Sequence, residues 1–457
     1  MGKLEIFYKS LTNSSQLLAN LKAETEINGR KETDMKRMGL SLFFLFLLFC
    51  FSNASDASVS LQQQIDGTNS GGVLQVKEGV YEEAVIISKP ITIEGTSGTT
   101  IRYCGEKPVV SIEGQHVKLK NITIEQCGAS NDTTAVYMRG EEHALEEVTV
   151  QTKGFGVKLD GVSKTNLYHV RISGSEKGNG IDLWESNGNH IENADIKHAR
   201  DGIYLENSHH NRLLSNEIRQ SRYGIHLMFS DGTELLRNKS YDNITGAMIM
   251  GTKETTVRDN QFIYNQENVN AQGLLLYDAI STNVIGNTIS HNRVGIYVEK
   301  APENVIAKNE VSNNFIGIQF KEANRNTVEQ NTFIGNVYEA QAVKSAGNTI
   351  ERNYWDNSLK LDTAGRGVSS LSYKADPFFL TLTNAVPHYQ LFFGAPGMIV
   401  VEKLLKGTQN AWLEDKLPSM DVTVQQETEA VSPFAAGGIS IAMLIGSTML
   451  YIWGRKI

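Results

Sequence analysis

The sequence predicts an all-β fold, a right-handed three-sided parallel β-helix solenoid, followed by a C-terminal transmembrane helix. Three observations carry the solenoid. A glycine followed by alternating apolar residues recurs at Gly180, Gly202, Gly224, Gly246, Gly273, Gly295 and Gly317, in steps of 22, 22, 22, 27, 22 and 22. One asparagine series keeps the same beat: Asn216, Asn238, Asn260, Asn287, Asn309, Asn331 and Asn353. A second follows at Asn243, Asn265, Asn292, Asn314 and Asn336. A fixed period in this range marks units that bury their apolar faces only by stacking on one another.

Each unit alternates with period two, is rich in β-branched residues and has almost no proline, which favours strand over helix. Strand, turn, strand, turn, strand, turn in 22 residues matches one coil of a three-sided β-helix. Asparagine suits the corners because it tolerates the left-handed backbone region and because stacked Asn side chains bond from coil to coil. The 27-residue step places an insertion of about five residues between Gly246 and Gly273. Leucine-rich repeats of similar length need a leucine-asparagine signature on every copy, which is missing here. Helical repeats need a 3.6-residue period, also missing.

The ends suggest an address. Lys36 and Arg37 precede the apolar run Leu40 to Phe51, and Ser52-Asn53-Ala54 supplies small residues for cleavage, the pattern of a secretory signal peptide. Residues 1–37 read either as an over-long start, with Met35 or Met38 the initiator, or as a cytoplasmic extension of a signal anchor. Phe434 to Trp453 carries no charge and precedes Gly454-Arg455-Lys456, so it reads as a span with a cytoplasmic basic end. The expected organisation is therefore an N-terminal extension and signal peptide over 1–57, the β-helix over 58–380, a closing segment over 381–405, a polar tether over 406–433 and the span over 434–453. The bulk of the chain is expected outside the cytoplasm, held at the cell membrane by a single C-terminal pass.

Cys104 and Cys127 remain after signal removal and lie 23 residues apart, about one coil. They read as a disulfide between adjacent rungs or as two small core residues. No CxxC or Cys/His zinc spacing occurs. The net charge of −8, with no basic stripe, argues against nucleic acid as a partner.

In each glycine-led strand the first and third residues after Gly are apolar and should face the core, leaving the second and fourth outward. The second positions are Asp182, Tyr204, His226, Met248, Leu275, Tyr297 and Gln319. The fourth are Trp184, Glu206, Met228, Met250, Tyr277, Glu299 and Lys321. Such an aromatic and sulfur-rich sheet face departs from the Lys, Thr, Ser and Glu of a solvated one, and suggests a binding surface with Trp184, Tyr204, Leu275, Tyr277, Tyr297 and Glu299 on it. His226 with Met228, Met248 and Met250 forms a soft donor set, suited to Cu(I) and poorly suited to calcium or magnesium. A competing reading has a terminal segment, such as the apolar stretch Tyr389 to Val401, folded over the face. An enzyme of acidic polysaccharides is a third: such β-helices, pectate lyases among them, use clustered carboxylates. Asp182 and Glu206, with Asp201 and Asp278 nearby, would supply the acids, and Arg222 a base or anion clamp. Asp182 and Glu206 stand in different columns, however.

The stretch Arg222-Tyr223-Gly224-Ile225-His226-Leu227-Met228-Phe229-Ser230 resembles the RYGIHxMxS strand of NosD-type proteins. The opening Leu61-Gln62-Gln63-Gln64-Ile65, with Gly79-Val80-Tyr81 and Ile91-Thr92-Ile93-Glu94-Gly95, is similar to that family's capping helix and first coil. Asn353-Tyr354-Trp355-Asp356, then Asp376-Pro377 and Leu391-Phe392-Phe393-Gly394, resembles its exit from the solenoid. The likeness spans about residues 58–405. It implies an extracytoplasmic accessory protein for assembling the copper sites of nitrous oxide reductase. It also implies work alongside an ABC-type membrane complex, with copper delivery or sulfur insertion into a copper oxidoreductase. His226 and Met228 match the motif strand; Met248 and Met250 enter by stacking. The C-terminal span departs from soluble family members and fits either a tethered accessory protein or a paralogue recruited to another partner or to a surface glycan.

Overall fold

The computed structural model describes residues 60–375 apart from 129 and 131, together with 382, 385–392, 397 and 413–422. The chain divides into two units, Met1–Val59 and Ser60–Ile457, and every described residue belongs to the second. The expected signal peptide and the span over 434–453 lie outside the described residues. Among those described, no helix is long and apolar enough to cross a membrane.

A parallel β-helix fills the described region. Its strands sort into three parallel sheets of thirteen, thirteen and twelve strands, and each strand pairs with the one three places further along the chain. A short helix, Leu61–Gly67, closes the first coil. Ser60 caps it by accepting from the Gln63 amide at 3.1 Å, and Leu61 and Ile65 turn inward onto the core. The core is a set of aliphatic stacks. Ile181, Ile203, Ile225, Ala247, Leu274, Ile296 and Ile318 fill the first positions, and Leu183, Leu205, Leu227, Ile249, Leu276, Val298 and Phe320 the third. All are fully buried.

The repeated glycine is steric. A Cβ on Gly246 would stand 2.5 Å from the carbonyl oxygen of Gly273 in the next coil and 3.0 Å from Asn265 Nδ2. Adjacent coils approach too closely there for any side chain.

Both asparagine series form buried ladders. Each Oδ1 accepts from the backbone amide one coil back, as in Asn287 N to Asn309 Oδ1 at 2.9 Å and Asn292 N to Asn314 Oδ1 at 2.9 Å. The expectation that these asparagines adopt the left-handed region is corrected. That conformation falls on the preceding residue, at Arg237 (φ 51), Asp259 (φ 56) and Lys308 (φ 56) in one ladder and at Asp242 (φ 51) and His291 (φ 57) in the other. The left-handed residue turns the corner, and the asparagine after it aims its amide inward along the solenoid.

The ladders end on acids. Asp415 Oδ2 accepts from the Asn353 amide at 3.0 Å and from Trp355 Nε1 at 3.0 Å. Glu339 Oε2 accepts from Asn336 Nδ2 at 2.9 Å. Asp415 arrives on Leu413–Asp415, which pairs antiparallel with Tyr373–Ala375. Stacked rings of Phe333, Trp355 and Tyr373, 4.3 and 4.2 Å apart, complete this end. Near the other end Cys104 and Cys127, one coil apart, form a disulfide.

The five-residue insertion falls between the strands Gln261–Ile263 and Gln272–Tyr277, at the corner entering the third sheet. Of the stretch Tyr389 to Val401, expected as a cover, only 389–392 and 397 are described, and there Tyr389 and Phe392 are exposed.

Candidate functional site

The third sheet carries the outward columns in the register the period predicts. Asp182 pairs with Tyr204, Tyr204 with His226, His226 with Met248, and Met248 with Leu275. Trp184, Glu206, Met228, Met250 and Tyr277 line up beside them. The first four coils of this array frame an open cleft of about 480 Å³. Asp182, Trp184, Tyr204, Glu206, Arg222, His226, Met228, Met248 and Met250 all line it.

The remaining face residues stand apart from this cleft. Leu275 and Tyr277 continue the columns away from it, and Tyr297 and Glu299 have engaged each other. Tyr297 donates to Glu299 Oε2 at 3.0 Å, and Lys321 pairs with Glu299 Oε1 at 2.8 Å. That end of the face is a closed polar array, not part of the same site.

The centre of the cleft is a carboxylate. Asp201 is 1% exposed and accepts from Arg222 twice, from Nε to Oδ1 at 2.9 Å and from Nη2 to Oδ2 at 2.8 Å. His226 Nδ1 meets the same Oδ2 at 3.0 Å. Burial pushes the Asp201 carboxyl up, but hydrogen bonds from His226 and Arg222 outweigh it and hold the group below the usual carboxylate range. An ionised carboxylate can only accept, so the ring hydrogen sits on Nδ1. His226 Nε2 is then a buried nitrogen with no hydrogen-bond partner. The rings of Tyr223 and Tyr204 hold the imidazole at centroid distances of 4.8 and 5.0 Å.

Around this centre the cleft has two characters. Toward the N-terminal coils it is polar. Asp182, nearly buried, is pushed upward by desolvation, with Asn179 Nδ2 donating to it at 3.1 Å. Tyr204 donates to Glu206, and its phenol is raised by burial and by that carboxylate. Lys158 and Arg200 add positive charge to the wall. Toward the C-terminal coils the cleft is soft: Met228, Met248 and Met250 line it, and the Tyr204 hydroxyl lies 3.5 Å from the Met228 sulfur.

This arrangement corrects one chemical expectation. Arg222 is not available as a base: its fork is spent on Asp201, and that hydrogen bond raises its pKa further. The expected soft donors His226, Met228, Met248 and Met250 share the cleft. His226 offers an orphaned, buried Nε2, and Met248 occupies the neighbouring register position about 4.8 Å away, with Met228 and Met250 paired in the next column. Among the described residues no group of three or more His, Cys, Asp and Glu side chains is placed to hold a metal. An imidazole with thioethers is the kind of donor set that matches Cu(I).

Pattern reasoning did not assign a role to Phe155, Lys158, Asn179, Arg200 or Tyr223, which also line the cleft, and gave Asp201 only a nearby one. Lys158 was within reach, because Gly156 is followed two residues on by Lys158, an outward position paired with Asp182. Asp201 was hidden by position. It precedes the glycine, where the alternation that sorts inward from outward does not extend.

Residues 160–367 match the family described as NosD, periplasmic copper-binding protein. The coils fit a NosD-type β-helix protein. The matched span contains all of the cleft except Phe155 and Lys158. A curated relative, a probable ABC transporter binding protein NosD of Stutzerimonas stutzeri, is 25% identical over 170 residues, 34% of this chain and 38% of the relative. The match thus spans well under two thirds of that relative's length. Among solved structures, the A-module of an Azotobacter vinelandii mannuronan C-5 epimerase superposes with a TM-score of 0.53 at 14% identity, covering 64% of this chain and 92% of the module. A PL6 alginate lyase in complex with a trisaccharide gives 0.53 at 14% identity, over 64% of this chain and 81% of the lyase. At such identities the likeness to the epimerase and the lyase is one of fold.

Proposed function

We propose that this NosD-type protein is a membrane-anchored, extracytoplasmic accessory protein that carries Cu(I) for the copper-site assembly of a partner metalloenzyme, working with an ABC-type complex. Copper here is cargo, held by His226 with Met228, Met248 and Met250. The observation that carries this reading is the unpartnered, buried His226 Nε2 beside thioethers in register. The uncharged stretch Phe434 to Trp453 supports the anchor, and the relative named as an ABC transporter binding protein supports the partner complex.

The test is a Cu(I) titration of the purified protein under reducing conditions, in competition with a chromogenic Cu(I) chelator. One Cu(I) per chain is expected, lost when His226→Ala is combined with Met248→Ala. A wild-type protein that takes no Cu(I) from the chelator would sink the copper role.

A second reading rests on the polar half of the cleft, where Asp182, Asp201 and Glu206 stand with Lys158, Arg200 and Tyr204. That set is suited to an acidic polysaccharide. Release of unsaturated sugar from alginate or polygalacturonate, abolished by Asp182→Asn, would favour it.

A further inference from the structure

We propose that Asp201 is a positioning residue. Clamped by the Arg222 fork, it locks the His226 imidazole in the tautomer whose Nε2 lone pair is free in the cleft. The proposal rests on the copper reading and deepens it, because it explains why this coil, and not its neighbours, would present a competent nitrogen ligand.

The geometry is specific to one coil. Asp201 sits opposite Tyr223, and the equivalent places in later coils carry Thr245, Gln272, Val294 and Ile316. None of these is acidic. The strand register runs from Asp201↔Tyr223 to Ile203↔Ile225 without pairing the intervening Gly202. A Cβ on Gly202 would stand 2.2 Å from Ile218 Cγ2 and 2.6 Å from the Gly224 carbonyl oxygen. Glycine therefore permits the close approach of adjacent coils beside the carboxylate, which lines the cleft.

The lock has three parts. A bidentate guanidinium fixes the plane of a carboxylate as well as its place, and the Arg222 fork does so at 2.9 and 2.8 Å. Arg222 is itself steadied by the Tyr223 ring, 4.5 Å from its guanidinium carbon. The fixed Oδ2 then faces His226 Nδ1 at 3.0 Å. A carboxylate behind a ligating imidazole sets the tautomer and the ring orientation, and its loss typically lowers metal affinity about 10- to 100-fold.

The decisive substitution is Asp201→Asn, which keeps the shape and reverses the polarity. Arg222 can only donate, and it donates to both native oxygens, so either orientation of the amide sets its NH₂ against one arm of the fork. Where the NH₂ takes the Oδ2 place it also faces Nδ1, which must then accept, and the ring hydrogen moves to Nε2. Two readouts follow on the full-length protein: the His226 tautomer by nitrogen-15 NMR with labelled histidine, assigned through His226→Gln, and the Cu(I) affinity by chelator competition. The wild type should show Nδ1–H, and Asp201→Asn should lose that single tautomer, with Nε2–H gained and affinity lowered about 10- to 100-fold. Arg222→Lys, which keeps the charge but loses the fork, should keep the tautomer and lower affinity by a smaller factor. This variant also tests the lock if Asp201→Asn does not fold.

If Asp201→Asn or Arg222→Lys binds Cu(I) as the wild type does while His226→Ala does not, positioning is overturned and the copper reading stands. If the wild type shows Nε2–H, positioning is overturned whatever the affinity. If the wild type shows Nδ1–H but binds no Cu(I), the copper reading falls and takes the metal role of the lock with it.

Discussion

Asn309 offers the sharpest test of what holds the solenoid together. It is 1% exposed, in the middle of the longer ladder. Its Oδ1 accepts from Asn287 N and Asn287 Nδ2, both at 2.9 Å. Its Nδ2 donates to the Val284 carbonyl and to Asn331 Oδ1, again at 2.9 Å each. Asn309→Ala removes all four bonds. Asn331 Oδ1 keeps the Asn309 backbone amide at 2.9 Å, and Asn287 Nδ2 keeps the Val257 carbonyl at 2.9 Å. The Asn287 amide is orphaned in a dry interior, along with one hydrogen of the Asn287 side chain, and the Val284 carbonyl loses its Asn309 donor. At about 1–3 kcal/mol for each of these two buried donors left unpaired, the loss is roughly 2–6 kcal/mol. Because coils interact only with neighbours, the damage should be local. Urea unfolding should show a lowered midpoint, and hydrogen exchange should find the Asn287 amide deprotected while distant coils keep their protection. Asn309→Asp should be at least as harmful at neutral pH, since a carboxylate oxygen would then face the Val284 carbonyl. A loss below about 1 kcal/mol with unchanged exchange at Asn287 would refute the ladder as an energetic element.

Two further outcomes are expected. Burial, with the Asp356 carboxyl alongside, pushes Glu339 up to about 9, so the folded protein keeps its proton where the unfolded chain, near 4.5, does not. Between those values the unfolded state binds fewer protons, so stability should fall as pH rises, by on the order of a few kcal/mol. Glu339→Gln, which mimics the protonated acid, should flatten that slope; melting temperatures at pH 5 and pH 9 will show whether it does. Gly246→Ala puts a Cβ 2.5 Å from a backbone oxygen of the next coil, so it should destabilise by about 1–3 kcal/mol in urea titration even though alanine is otherwise benign.

Much of this molecule was legible before any coordinate. The 22-residue period required one coil per repeat, and with it the register that sets Tyr204 beside His226 and His226 beside Met248. Alternation then separated core from surface, because in a strand the two faces differ by parity alone. The insertion was visible as a shared 27-residue step, and it lands where a groove is lined by Glu267 together with Arg200 and Arg222. Less of the cleft could be read. Parity says nothing of Asp201, which lies ahead of the glycine, and spacing cannot reveal that Arg222 is already committed to it. The left-handed corner was misplaced by one residue because asparagine's conformational tolerance and its hydrogen bonding both favour a turn. The ladder uses only the second.

What the sequence determined by itself is therefore everything that repeats: coil length, core stacks, the glycine column, the asparagine ladders and the two outward columns. Translation along a solenoid carries each local choice into the next coil, so periodicity is structure. Tertiary structure alone decided what occurs once. The acids that end the ladders come from outside the beat, Asp415 reaching Asn353 across 62 residues. The Asp201, Arg222 and His226 array depends on side chains of two adjacent coils meeting at one carboxylate. Which hydrogen-bonding groups are used up, and which single nitrogen is left over, follows from three-dimensional pairing and has no period to betray it.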